Sequence, residues 1–157
     1  SAIGETIELE FYPPRVARKR PDWFEILPPE YFPLLDEIYS SLHAGNRTLA
    51  MMGARAVLDT FTTRKVGDCG NFKAGLDALV AKNYLAQMNR KVIESAVEAG
   101  HAAAHRAYNP SSDVLNAVMD IVENLIQHDV LSQSAKVLKK KLQRRPRRKK
   151  NPKKGKP

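Results

Sequence analysis

Asn46-Arg47-Thr48-Leu49-Ala50-Met51-Met52-Gly53-Ala54-Arg55-Ala56-Val57-Leu58-Asp59-Thr60-Phe61-Thr62-Thr63 reads as one long helix. Asn46 is a helix-capping residue type. Leu49, Met51, Met52, Ala56, Val57, Leu58 and Phe61 fall on more than one side of a helix. A helix apolar on several sides is one that neighbours cover all round. The stretch is therefore expected to be the central helix of a bundle. Arg55 stands out in it, because a guanidinium in apolar surroundings needs a partner. Asp59, four residues on, is placed to supply one. A structural ion pair and a place in an active site are both open to Arg55.

The helices around it read outward from this one. Leu34, Leu35, Ile38, Tyr39 and Leu42 recur at helical spacing between about Glu30 and Ala44, and Gly45 ends the run. Val66-Gly67-Asp68-Cys69-Gly70 is a turn, after which Asn71 can cap a third helix from Phe72 to about Lys82. A fourth helix, about Leu85 to Arg106, is expected to bury Leu85, Met88, Val92, Ala96 and Ala103, and Asn109-Pro110 stops it. Ser111 or Ser112 caps a fifth that runs to about His128, with Val114, Val118, Ile121, Val122 and Leu125 as its buried stripe. Leu131, Ala135, Leu138 and Leu142 suggest a sixth helix that fades into the tail.

At the other end, residues 6–11 alternate apolar and polar and read as a short strand. A dimer mate or a missing N-terminal segment would have to pair with it. Five prolines between Tyr12 and Pro29 exclude regular structure for most of that segment. Within it Trp23, Phe24, Ile26 and Leu27 are expected to plug the core. Arg15, Arg18, Lys19 and Arg20 read first as a solvated loop and second as a nucleic-acid contact. The expected architecture is all-α, a five- to six-helix bundle with a short N-terminal strand and a disordered basic C-terminal tail. Residues 1–29 form the extended segment, 30–135 the bundle and 136–157 the tail.

Composition agrees with one soluble domain: 157 residues, 43% of them hydrophobic. No apolar run approaches the ~20 residues that cross a bilayer, and the acidic, interrupted N-terminus does not read as a signal peptide. A lone Cys69 excludes an internal disulfide and a cysteine-rich zinc site. The cytoplasm is the expected compartment, with no membrane partner. Net charge is +9, but it divides unevenly. From Lys136 onward there are 13 basic and no acidic residues, while the other 135 residues hold 13 basic and 17 acidic ones. The body is acidic and carries a cationic appendage.

Chemistry is expected near Glu94-Ser95-Ala96-Val97-Glu98-Ala99-Gly100-His101-Ala102-Ala103-Ala104-His105-Arg106. His101 and His105, four apart, lie on one helix face, and Glu98 and Glu94 extend that line. The alanines between the histidines let a neighbouring helix come close. Two imidazoles can act as base and acid on a ribose 2′-hydroxyl and its leaving oxygen, with Arg55 or Arg106 as phosphate clamp. Glu94 and Glu98 oppose this, because carboxylates on that face repel phosphate and hold the histidines protonated. The same histidines with Glu98 offer three metal ligands, though not in the order of zinc proteases. The simplest reading makes them hydrogen-bonded residues at a helix or dimer contact. No metal or other cofactor is called for.

Trp23-Phe24-x-x-Leu27-Pro28, Glu37-Ile38-Tyr39, Met52-Gly53-x-Arg55-Ala56, Val66-Gly67-Asp68 and Gly100-His101-x-Ala103-Ala104-His105, in this order, resemble the bacterial domain of unknown function 4145 family. That family is similar, more distantly, to the HEPN (higher eukaryotes and prokaryotes nucleotide-binding) helical domains. The resemblance implies a helical, dimeric module and a link to bacterial defence systems; many HEPN domains are metal-independent ribonucleases. Their motif has an arginine, usually followed by asparagine, separated from a histidine by four to six intervening residues. Here those positions hold Glu98, Ala99 and Gly100, and His101 stands where the shortest motif has its asparagine. Only His105 carries over, as catalytic histidine.

The tail supplies a separate signal. Lys139, Lys140, Lys141, Arg144, Arg145, Arg147, Arg148, Lys149 and Lys150, broken by Pro146 and Pro152, suit non-specific RNA or DNA binding through counterion release. The sequence therefore points to a non-enzymatic, nucleic-acid-associated HEPN-like homodimer, with a divergent metal-independent endoribonuclease centred on His105 as the rival.

Overall fold

A computed structural model describes residues 18–104 and 109–142, with side chains given for all of these except 99–104. The described residues are all-helical. A 3₁₀ turn, Asp22–Ile26, precedes α1 (Phe32–His43), α2 (Arg47–Val66), α3 (Phe72–Ala81), α4 (Gln87–Ala104) and α5 (Ser112–Leu142). The expected strand at 6–11 and the tail past Leu142 lie outside the described residues.

α2 packs against each of the other four helices, as its all-round apolar sequence requires. Ala50, Met51, Ala54, Val57, Leu58 and Phe61 of α2 are all buried. Two glycines allow the closest approaches. A Cβ on Gly53 would lie 2.5 Å from Ile38 Cγ1 of α1, and one on Gly75 of α3 would lie 2.8 Å from Thr62 Cγ2. Leu49 and Met52, expected inside, are more than half exposed and form the outer side of α2.

The helix ends follow local chemistry. After α1, the Asn46 amide donates to Ser41 O and the Gly45 amide to Leu42 O, the paired bonds of a Schellman turn with Gly45 at φ +72°. Asn46 holds the capping position of α2, but its side chain makes no capping bond. Asn71 does cap α3: its Oδ1 accepts the Ala74 amide at 2.9 Å. Ser111 caps α5, its Oγ accepting the Val114 amide at 3.3 Å. No glycine or proline interrupts the chain between His128 and Leu131. The expected fifth and sixth helices are accordingly one continuous helix of 31 residues.

Phe24 enters the core at 2% exposure and packs edge-on to Tyr39, with centroids 5.7 Å apart. Trp23 and Leu27 pack beside it, whereas Ile26 points outward at 61% exposure. In the basic cluster ahead of this plug, Lys19 and Arg20 are exposed as a solvated loop requires, but Arg18 is not. Arg18 forks onto both carboxylate oxygens of Glu123, at 2.6 and 2.8 Å, and also reaches Asp120. Tyr39 Oη donates to Glu123 at 2.5 Å, and Arg20 pairs with Asp36 at 2.5 Å. Lys19 is exposed, and Arg15 lies outside the described residues.

Candidate functional site

Along α4, Lys91, Glu94, Glu98 and His101 follow one another at helical spacing. Glu94 is already engaged. It accepts from Arg90, which also holds Asp77 at 2.6 Å, and lies 3.4 Å from Lys73 Nζ. This network ties α3 to α4, and Arg90 is only 8% exposed within it. Glu94 is thus a structural carboxylate. The i, i+4 relation of Arg90 and Glu94 is the signal that shows it in the sequence. Glu98 is exposed. His105 and Arg106 lie outside the described residues, as does the side chain of His101.

Arg55 finds the partner expected. Its Nε is 3.9 Å from Asp59 Oδ2, and its guanidinium sits 4.8 Å from the centroid of the Phe72 ring. These contacts are with α2 and α3. The arginine is half-buried, with the ring as part of its surroundings. Partial burial pushes the Asp59 carboxyl up, and the charge of Arg55 pulls it the other way.

A groove of about 580 Å³ separates α4 from α5. Val92 and Ala96 from α4 and Val114 and Ala117 from α5 form its apolar walls, with Lys91, Ser95 and Asp113 at the polar positions. Sequence reasoning expected Val92 and Ala96 to be covered; Ala96 is buried, and Val92 is partly accessible at the groove wall. Met88, expected inside the same helix face, is 70% exposed.

The cations assigned to nucleic acid divide into two sets. Lys139, Lys140 and Lys141 are exposed on the last turn of α5, where positive charge complements the helix dipole. Arg144, Arg145, Arg147, Arg148, Lys149 and Lys150 lie outside the described residues. Among the described residues, no three His, Cys, Asp or Glu side chains gather as metal ligands. No described helix is long and apolar enough to cross a membrane.

One buried polar cluster escaped the sequence reading. Asp129, 2% exposed, accepts from Lys65 through Oδ1, while Oδ2 has no partner among the described residues. Tyr31 Oη is likewise buried and unpartnered. Burial, reinforced by the negative charge of Asp129, pushes the Tyr31 phenol up to about 12. Arg64 covers the Tyr31 ring at 5.3 Å and pairs with Glu30 at 2.5 Å.

Four helices gathered on α2, with the close approach of Gly53 to Ile38 of α1 and the Gly67 turn after α2, are the frame on which the family comparison falls. A model for a domain of unknown function, DUF4145, matches residues 36–147. The chain belongs to the DUF4145 family. The match starts within α1 and takes in α2 to α5. It includes Arg55, His101, His105, Arg106 and the tail cations as far as Arg147, while Arg148, Lys149 and Lys150 lie beyond it. No curated protein and no solved structure matches the chain.

Proposed function

We propose that this DUF4145 protein is a non-enzymatic, HEPN-like helical module that associates with nucleic acid through the cationic end of α5 and the residues after it. In this reading it works as a homodimer, in the cytoplasm, within a bacterial defence system. The supporting observation is that Lys136, Lys139, Lys140 and Lys141 are all exposed on a helix and paired with no carboxylate among the described residues. Elsewhere among the described residues most cations are spent: Arg18, Arg20, Arg55, Arg64, Lys65, Lys73 and Arg90 each pair with an acid. Free cations at one end of an acidic body suit phosphate contacts that release counterions.

Fluorescence anisotropy with labelled mixed-sequence RNA and duplex DNA tests this. Affinity for the duplex should fall by about 10³ to 10⁵ between 50 and 200 mM salt if about 6 to 10 phosphates are contacted. Deleting residues 136–157 should abolish binding while the bundle keeps its thermal transition, since 136–142 are exposed throughout. Unchanged affinity after the deletion refutes the proposal.

The second reading is a metal-independent endoribonuclease centred on His105, which follows His101 of α4 by four residues. Cleavage of RNA in EDTA that His105→Ala abolishes would replace the first reading with this one.

A further inference from the structure

The second half of α5 leaves the bundle. Burial along the helix ends at Val130, and from Leu131 to Leu142 every residue but Ser132 is exposed. That segment extends about 18 Å beyond the core. Leu131, Leu138 and Leu142 are 57%, 59% and 68% exposed. With Ala135 they recur at steps of four, three and four, the spacing of the a and d positions of a heptad. On a helix the four occupy a sector only about 60° wide. Lys139 and Lys141 flank this seam, Lys136 and Lys140 lie behind it, and the segment contains no Asp or Glu.

Chemistry separates the possible occupants. A membrane-surface helix presents a broad apolar face, commonly with aromatics, whereas this seam is narrow and has none. Nucleic acid satisfies lysines through its phosphates but offers no apolar ridge to four aligned aliphatic side chains. A second copy would match the seam, yet it would bring Lys139 and Lys141 against the same two lysines with no carboxylate between them, which is unfavourable at flanking positions. The α4–α5 groove holds one lysine and one aspartate, so nothing there selects a cationic helix. An amphipathic helix with acidic flanks satisfies both the leucines and the lysines.

We propose that the projecting end of α5 docks an acidic amphipathic helix of another protein, whose apolar seam packs on Leu131, Ala135, Leu138 and Leu142 and whose flanking carboxylates face Lys139 and Lys141. The nucleic-acid reading draws on charge alone, and this one draws on the leucines, so the two fail separately.

The test titrates the full chain against labelled designed zipper peptides. One has leucine at a and d with glutamate at e and g; a second has the same seam with lysine flanks; a third keeps the glutamates but has a serine seam. Only the first should bind. The double variant L131S/L138S should weaken binding about a hundredfold, from the loss of two buried leucines. Its circular dichroism melt should match the parent, because neither side chain enters the core. Equal binding of the serine-seam or lysine-flank peptide, or binding of none, overturns the proposal. So does leucine-dependent binding to anionic phospholipid vesicles or to RNA instead of the peptide. Self-association in sedimentation that L131S/L138S abolishes would give the seam to a second copy and equally overturn it.

Discussion

Lys65→Met isolates the cost of the buried charge that joins α2 to α5. Asp129 is 2% exposed, its Oδ1 accepts from Lys65 Nζ, and its Oδ2 has no partner among the described residues. The ammonium is therefore the group that compensates this carboxylate most directly. Methionine keeps the aliphatic stem near the Phe61 and Tyr84 rings, so packing changes little while the charge is removed. Removing one member of a buried pair typically costs about 3–5 kcal/mol. The lysine side chain keeps 22% of its exposure, which places the expected loss near the lower end, about 3 kcal/mol. In a domain of this size that lowers the melting temperature by roughly 10 °C. Urea unfolding followed by far-ultraviolet circular dichroism measures the loss directly. Replacing both partners, K65M/D129L, should return stability to within about 1 kcal/mol of the parent, because no charge is then left buried. A single variant within about 0.5 kcal/mol of the parent, or a double variant no better than the single, refutes the reasoning.

Two other perturbations follow from packing and burial. Gly53→Ala puts a Cβ 2.5 Å from Cγ1 of Ile38, which is 1% exposed and has no room to swing; overpacking of about 1–3 kcal/mol should exceed the helix gain of up to about 1 kcal/mol, and a raised urea midpoint would contradict this. The Tyr31 phenol is pushed up to about 12, and that of Tyr39 is also raised by burial and by its bond to Glu123. Both are held neutral in the folded state, so their contribution is fully present below the unfolded value of about 10 and is lost as pH rises toward about 12. The midpoint should fall across that window and fall less in Tyr31→Phe; parallel curves would refute the assignment.

Much of the frame was legible because it is local. The cap of Asn71, the cap of Ser111 and the 114–125 stripe all rest on residues a few positions apart, and each appears in the structure. Membership of the DUF4145 family was legible for the same reason, carried by short phrases in order. Facing was harder to read. Leu49, Met52 and Met88 are apolar but exposed, since a helix with apolar residues on several sides does not reveal which side its neighbours cover. The apolar spacing of 131–142 suggests a separate helix, although nothing in the sequence breaks α5 there. Arg18 with Glu123 and Lys65 with Asp129 join residues 105 and 64 positions apart, and no periodicity encodes such pairs. At the candidate site the spacing of His101 and His105 is plain in the sequence. Chemistry at that site depends on what surrounds the imidazoles, which spacing does not supply.

The Phe24 plug has a practical consequence for cutting the protein down. The stretch shared with DUF4145 begins at position 36, but the folded body begins earlier. A fragment started there would lack Phe24, Tyr31 and Leu35, whose side chains are 2%, 0% and 0% exposed, and would leave Tyr39 and Ile38 facing an open hollow. Glu123 would also lose the guanidinium that clasps it from the front of the chain. Family boundaries and autonomous folding units do not coincide in this molecule, and an expression boundary is better placed ahead of Arg18.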